Sequence, residues 1–216
     1  MRNINKDIYN KQLKFSSEVY DDLLRFVSYF YQIDLLRKLN VDSILEVGIG
    51  SKMVSNYLLS KGFKVITCDF NEKLKPDYVG DIRKLPFKNN SFECISACEI
   101  LEHIPFEDFR KALFELHRVT NKYVIISLPY SSTYFECLIR FPFIESLINT
   151  HFLRIFLRIP FISNKFLSKE HYWELGRKGH SIKKIKSILN KNFKIIKTGM
   201  FAVDTYHYFF VLKKRH

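Results

Sequence analysis

Two closely spaced glycines and a carboxylate stand where a nucleoside could be bound. Gly48 and Gly50 follow Ser43–Val47, an apolar run typical of a buried strand. Glycine lets the main chain approach a ligand where a side chain would block it. Asp69 ends the next apolar run, 64–68, and a carboxylate in that position commonly binds ribose hydroxyls. This spacing predicts a βαβ unit that binds a nucleoside.

The glycine turn lacks the features that bind a diphosphate. A dinucleotide fingerprint requires a third glycine, and this chain has Met53 in its place. The sequence also contains no G-x-x-x-x-G-K-[ST] phosphate loop. The turn therefore favours a nucleoside that carries no phosphates.

Four segments, taken in order, resemble the motifs of class I S-adenosylmethionine-dependent methyltransferases. The first is E-V-G-I-G-S at 46–51, and Asp69 follows as the second. The third is G-D-I-R-K-L-P-F at 80–87, and the fourth is the strand and turn at 92–104. Each motif is weak alone, but the four together are specific because they occur in the family's order and spacing.

The resemblance implies S-adenosylmethionine as cofactor and S-adenosylhomocysteine as product. It implies that Asp69 binds the ribose, that Asp81 and Ile82 contact the adenine, and that Glu46 orients the glycine turn. The full set of cofactor-binding residues that we predict is Glu46, Gly48, Gly50, Asp69, Phe70, Asp81, Ile82 and Cys98.

The methyl acceptor is less constrained than the donor. Methyltransferases of exocyclic base amines carry an [NDS]-P-P-[YF] motif after strand four, where this chain has C-E-I-L at 98–101. We expect a small-molecule, lipid or sugar acceptor, methylated at oxygen or carbon. The candidates for acceptor-side acid–base catalysis are His103, His171, Glu174 and His180.

Charge leaves a second acceptor class open. The net charge is +13, and residues 177–216 hold eleven Lys and Arg against one acid, Asp204. Such a basic region fits an anionic partner, either RNA or a membrane surface, or a simple solvated face. The basic region motivates one alternative function, an RNA methyltransferase. A second alternative is a non-catalytic subunit that only binds S-adenosylmethionine.

The fold class predicted is α/β, a Rossmann-like doubly wound sheet of seven mostly parallel strands with an antiparallel last strand. Residues 1–216 form a single domain, in which 1–40 are an N-terminal helical cap with a helix over 16–39. Residues 134–169 are an apolar helical insertion after strand five, expected to be a lid on the acceptor side. The strands are predicted at 43–47, 64–68, 78–79, 92–97, 123–128, 193–197 and 206–212, and further helices at 52–61, 106–119 and 182–189.

The cysteines indicate neither a disulfide framework nor a metal site. Four cysteines occur without a C-x-x-C pair or a Cys/His cluster at zinc spacing. Neither a signal peptide nor a transmembrane segment is recognised in the sequence. We expect a cytoplasmic enzyme, peripheral to the membrane if the basic region binds lipid, and the oligomeric state is left open.

Overall fold

A computed structural model describes residues 21–130, 132–140, 152–159 and 170–215. Four α-helices occur within these ranges: α1 (Leu23–Lys38), α2 (Met53–Ser60), α3 (Phe109–Val119) and α4 (Ile182–Leu189). The strands described are β1 (Ser43–Val47), β2 (Lys64–Asp69), β3 (Tyr78–Val79), β4 (Phe92–Cys98), β5 (Thr120–Pro129), β6 (Thr133–Ile139), β7 (Leu153–Ile159), β8 (Phe193–Gly199) and β9 (His207–Lys214).

Seven of these strands form one sheet in the order β3-β2-β1-β4-β5-β9-β8. Strands β1 to β5 are parallel, and β9 is antiparallel to both β5 and β8. The predicted fold class is therefore confirmed. The strand order reverses between β1 and β4, and in doubly wound sheets ligands bind at the carboxyl ends of the strands beside that point.

Helices cover both faces of the sheet. Leu36 of α1 and Leu58 of α2 pack into the core cluster of one face, and Leu116 of α3 and Ile188 of α4 into that of the other. The central strands are buried on both sides, which explains why they read as almost continuous apolar runs. Among the described residues, none of the helices has the length and apolarity needed to cross a membrane.

The first helix of the described residues begins at Leu23, later than the predicted start near Ser16. Asp22 has extended backbone angles and its side chain accepts a hydrogen bond from the Arg25 main-chain nitrogen at 2.8 Å, so the helix starts at Leu23 rather than near Ser16. An aspartate cap satisfies a main-chain donor that a helix start leaves unpaired. Residues 16–20 of the predicted helix, and half of the predicted cap, lie outside the described residues.

The prediction of a helical insertion is wrong for its described parts. Strands β6 and β7 pair antiparallel as a separate two-stranded sheet. In β7, Leu153, Ile155 and Leu157 are exposed and alternate with partly buried residues, which is the two-residue period of a strand. Residues 141–151 and 160–169 of the insertion lie outside the described ranges.

The inner face of this hairpin holds it against the main sheet. Arg154 pairs with Glu136 across the hairpin at 2.7 Å and donates to the Met200 carbonyl at 3.0 Å. The guanidinium of Arg158 lies 3.8 Å from the centre of the Tyr130 ring and donates to its hydroxyl. Tyr130 directly follows β5, so these contacts place the hairpin beside the carboxyl edge of the sheet.

Candidate active site

The glycine turn after β1 is held between β2 and the loop after β4. Gly48 has a φ of +81° and its main-chain nitrogen donates to the Cys68 carbonyl at 2.9 Å. A Cβ at this position would stand only 3.0 Å from Cδ1 of Ile100. Both the backbone angle and the close approach therefore require glycine.

Asp69 is locked onto this turn at the carboxyl end of β2. Its side chain is 4% exposed, and its two oxygens accept hydrogen bonds from the main-chain nitrogens of Ile49 (3.0 Å) and Asn71 (2.8 Å). The Gly80 nitrogen donates to the Asp69 carbonyl at 2.9 Å, which brings Asp81 to the same edge of the sheet.

Asp81 is kept ionised by an arginine. Arg83 donates to both carboxylate oxygens, at 2.9 Å from Nε and 2.6 Å from Nη2, and hydrogen bonds from this side chain lower the pKa of Asp81. Arg83 also pairs with Asp108 at 2.7 Å. Asp81 stays partly exposed and can accept from a further donor, whereas Ile82 is buried in the core and Phe70 is largely exposed.

Glu46 is buried below the glycine turn. Its carboxylate accepts hydrogen bonds from the hydroxyl and main-chain nitrogen of Ser55, at the start of α2. Within the part of the chain that the structure describes, the other oxygen, Oε2, has no hydrogen-bond partner. Burial raises the pKa of Glu46 to about 7, because an ionised carboxylate loses its hydration there.

These residues fit S-adenosylmethionine. Carboxylates at Asp69 and Asp81 provide acceptors for ribose hydroxyls and for an adenine amino group. The Glu46 oxygen without a partner provides an acceptor for an ammonium group, and Gly48 and Gly50 are partly exposed in the turn above it. When bound, this cofactor supplies a methyl group carried on a sulfonium.

We expect Glu46→Gln to change how stability depends on pH. The unfolded chain releases the Glu46 proton near pH 4.5 and the folded chain near pH 7, so rising pH removes stability from the wild type across that window. The loss is about 3 kcal/mol for a shift of this size. Between pH 5 and pH 8, urea unfolding should show the variant gaining about 2.5 kcal/mol relative to the wild type, because part of the loss has already occurred at pH 5. Equal pH dependence of the two proteins would refute the raised pKa.

Three titratable side chains line up at the same edge, next to the cofactor turn. Glu99 follows β4 with a φ of +53°, a backbone conformation that is strained for a residue with a side chain. Its Oε2 lies 3.7 Å from Nε2 of His207, and its Oε1 accepts from the Ser127 hydroxyl at 2.9 Å. Nδ1 of His207 lies 2.6 Å from Asp204 Oδ1. The neighbouring Ile100 lies against Gly48, so Glu99 is close to the glycine turn that is predicted to bind the cofactor.

Burial and neighbouring charges shift the pKa values of Glu99 and His207. Burial raises the pKa of Glu99, and the neighbouring His207 opposes part of that rise. Burial alone would lower the pKa of His207, but the carboxylates of Glu99 and Asp204 outweigh it and raise the pKa. Asp204 and His207 are almost fully buried, whereas Glu99 remains partly accessible. In such an arrangement the Glu99 carboxylate can accept a proton from a ligand.

Three of the four predicted acid–base residues gather in a second cluster. The rings of His103 and His171 lie 4.9 Å apart, and Nδ1 of His171 lies 3.0 Å from Glu174 Oε1. Arg177 donates to Glu174 Oε2 at 2.9 Å. Glu102, beside His103 in the chain, is fully buried in the same cluster.

The fourth predicted residue has a different environment. The His180 ring packs 4.4 Å from the Phe106 ring and 5.5 Å from the Trp173 ring, and burial lowers its pKa. Trp173 is 2% exposed, so it belongs to the core and presents no face to an acceptor. Cys98 ends β4 beside Ser96, and burial raises the pKa of its thiol to about 12, which keeps it protonated.

The sequence alone did not single out Glu99, Asp204 or His207. Glu99 had a usable signal, a carboxylate directly after a predicted strand beside the switch point. His207 had no such sequence signal, because it stands at the start of a strand. Only because β9 runs antiparallel to β5 does the start of β9 lie at the carboxyl edge of the parallel strands.

Comparison with known proteins supports the methyltransferase class that the sequence motifs indicated. Residues 45–127 match the family model of the methyltransferase domain. This segment contains the glycine turn, Asp69, Asp81 and Glu99. No curated protein matches the chain in a sequence search.

Solved structures share the fold at low sequence identity. Magnesium protoporphyrin IX methyltransferase from Synechocystis PCC 6803, with bound S-adenosylhomocysteine, has a TM-score of 0.63 at 16% identity, covering 99% of this chain and 95% of that one. The 1,6-didemethyltoxoflavin-N1-methyltransferase of Burkholderia thailandensis has a TM-score of 0.62 at 12% identity, covering 100% and 91%. An S-adenosylmethionine-dependent methyltransferase from Clostridium acetobutylicum has a TM-score of 0.61 at 13% identity, covering 96% and 99%.

The sheet has the fold of solved S-adenosylmethionine-dependent methyltransferases, and residues 45–127, which carry the glycine turn, Asp69 and Asp81, match the methyltransferase domain. The chain is therefore an enzyme whose methyl donor is S-adenosylmethionine and whose other product is S-adenosylhomocysteine.

Proposed function

We propose that this enzyme methylates an oxygen or an acidic carbon of a small-molecule or lipid-like acceptor, with Glu99 as the acceptor-side base. The observation that carries this proposal is the line Glu99–His207–Asp204, which reaches the cofactor edge at its Glu99 end. A base is needed when the acceptor atom holds a proton that it does not release readily. A sulfonium methyl is already activated, so the remaining requirement is an in-line approach of the acceptor.

Glu99, His207 and Asp204 have different roles in the proposed proton transfer. The acceptor's proton passes to the Glu99 carboxylate, and the electron pair left on the acceptor atom forms the bond to the methyl carbon. The electron pair of the broken carbon–sulfur bond stays on sulfur. His207 stabilises the charge of Glu99 before transfer, and Asp204 fixes the imidazole so that Nε2 faces Glu99.

Arg158 favours an acceptor with an anionic group. It lies over Tyr130 at the end of β5, and burial lowers its pKa. Across the described residues, no salt bridge joins its guanidinium to a carboxylate, in contrast to Arg154 in the same strand. A carboxylate or phosphate of the acceptor would supply the missing counter-charge in bidentate geometry.

The hairpin and α1 flank the site as a lid and a cap would. The hairpin is fixed at Tyr130, beside the carboxyl end of β5. From α1, the Tyr29 hydroxyl lies 3.1 Å from Ser51 Oγ on the glycine turn. These contacts support the proposed cap at 1–40 and the proposed acceptor-side lid within 134–169.

An RNA acceptor has weaker support from the position of the basic residues. Lys213 pairs with Tyr123 and Lys214 with Phe193, so both lie at the amino edge of the parallel strands. The glycine turn lies at the opposite edge. RNA bound to Lys213 and Lys214 would therefore lie along the edge of the sheet opposite the predicted cofactor site.

A labelled extract distinguishes the two acceptor classes. The purified chain and S-adenosylmethionine with a labelled methyl group are added to a cell extract, and products are separated and identified by mass spectrometry. We expect label in a small-molecule or lipid fraction, unchanged by ribonuclease, and only background with Glu99→Gln. Label that ribonuclease releases, with transfer falling steeply as salt rises, would favour RNA instead.

A further inference from the structure

Two histidines and a buried glutamate converge just beyond the end of β4. Glu102 and His103 lie on a short 3-10 helix, Leu101–His103, and His171 lies on the segment that follows the insertion. The Tyr172 nitrogen donates to the Glu102 carbonyl at 2.9 Å, which fixes the two segments together. One ligand-type atom from each of the three side chains lies within 4.8 Å of the others.

Outer contacts fix where both imidazoles carry their proton. His103 Nδ1 lies 3.1 Å from the Glu170 carbonyl, which only accepts, so the proton is on Nδ1 and Nε2 carries the lone pair. His171 Nδ1 faces Glu174 Oε1 at 3.0 Å with the same consequence. Arg177 holds the other oxygen of Glu174. Carboxylates and carbonyls hold metal-ligating histidines in this manner in known metal sites.

We propose that Glu102, His103 and His171 form a binding site for one divalent transition-metal ion. One carboxylate and two imidazoles suit ions such as Zn²⁺, Mn²⁺ or Co²⁺ and are a poor set for Ca²⁺, which prefers oxygen ligands. The spacing of residues in the sequence predicts no metal site because His171 is far from the other two along the chain.

A bound ion would draw the three ligand atoms closer together than they lie in this structure. Bonds of about 2.1 Å place the ligand atoms of one ion roughly 3 to 3.5 Å apart. Nε2 of His103 is already 3.8 Å from Glu102 Oε1. Three protein ligands leave coordination positions open, which is the pattern of catalytic rather than structural sites.

The site lies next to Glu99, and its role in methyl transfer rests on the proposed function. His171 acts electrostatically on Glu99, and Glu99, Glu174 and Glu102 all act on the Tyr206 hydroxyl. An open coordination position could hold an acceptor oxygen on the side of the cluster that faces Glu99. There the ion would favour the ionised form of the oxygen as a Lewis acid.

Cobalt titration of the purified chain tests the site without cofactor or acceptor. After chelator treatment, Co²⁺ is added and its visible absorption is recorded, with Zn²⁺ as competitor. We expect one saturable equivalent that Zn²⁺ displaces. Removing a ligand in His103→Gln or His171→Gln should weaken binding more than about 100-fold, and the outer-contact change Glu174→Gln about 10- to 100-fold. His117→Gln, at a partly buried histidine that contacts the Arg215 carbonyl outside the cluster, is the matched control and should bind Co²⁺ as the wild type does.

Absence of a saturable equivalent in the wild type overturns the proposal, as does wild-type binding by both histidine variants. Calorimetry with S-adenosylmethionine checks that each variant is folded. If Co²⁺ fails to bind while S-adenosylmethionine binds and the extract is labelled, the metal site is refuted and the proposed function stands.

Discussion

Replacing Glu99 by glutamine is expected to lower kcat by about 10²- to 10⁴-fold, the usual contribution of a general base. Glutamine keeps the size of the side chain and can still accept from the Ser127 hydroxyl, but it cannot take a proton. The affinity for S-adenosylmethionine should stay unchanged, because Glu99 is assigned to the acceptor and not to the cofactor.

The pH profile gives an independent readout of the same variant. A base must be ionised, and burial raises the pKa of Glu99, so wild-type kcat should fall as pH drops through a range above that of ordinary glutamates. That acid limb should disappear in Glu99→Gln. Glu93→Gln, at the other end of β4 and paired with Lys122, is the control and should retain full activity. A Glu99→Gln enzyme with wild-type kcat would show that Glu99 is not the base.

The second large effect is expected from Asp69→Ala, which should weaken S-adenosylmethionine binding by about 10²-fold or more. Hydrogen bonds to a charged group contribute about 1.5–3 kcal/mol each, and the carboxylate is assigned to the ribose hydroxyls. The variant also frees the Ile49 nitrogen, which loosens the glycine turn. Calorimetry with S-adenosylmethionine and S-adenosylhomocysteine measures the change.

A neighbouring carboxylate provides the matched control for Asp69. Asp77 also accepts from a main-chain nitrogen, that of Thr67 at 2.8 Å, but it does not touch the glycine turn. Asp77→Ala should therefore bind S-adenosylmethionine as the wild type does, whatever it costs in stability. Equal affinity of wild type and Asp69→Ala would remove Asp69 from the cofactor site.

The main sheet was predictable because its signal is local. β1 is a short apolar run ended by glycine and β4 follows a turn-rich segment, so each strand is marked by its own residues. The hairpin in the insertion was not predictable in the same way. β7 alternates exposed apolar residues with partly buried arginine and phenylalanine, and an apolar-rich run of this kind also fits a surface helix until its pairing with β6 is known.

The proposed cofactor residues were also predictable from local sequence, whereas the proposed acceptor-side residues were not. Gly48, Asp69 and Asp81 each follow a predicted strand closely, so strand ends were enough to bring them to one edge. Glu99 and His207 meet across strands that are distant in the chain. The contact depends on β9 running antiparallel beside β5.

The sequence by itself determined the methyl donor, because binding a nucleoside without phosphates requires a glycine turn and carboxylates at strand ends, and both are local patterns. Only the tertiary structure brought together the groups that we propose for the acceptor side. The line from Glu99 to Asp204 and the cluster of Glu102, His103 and His171 form when separate segments pack together. Burial at those contacts also shifts the pKa of Glu99, and no local sequence pattern carries that information.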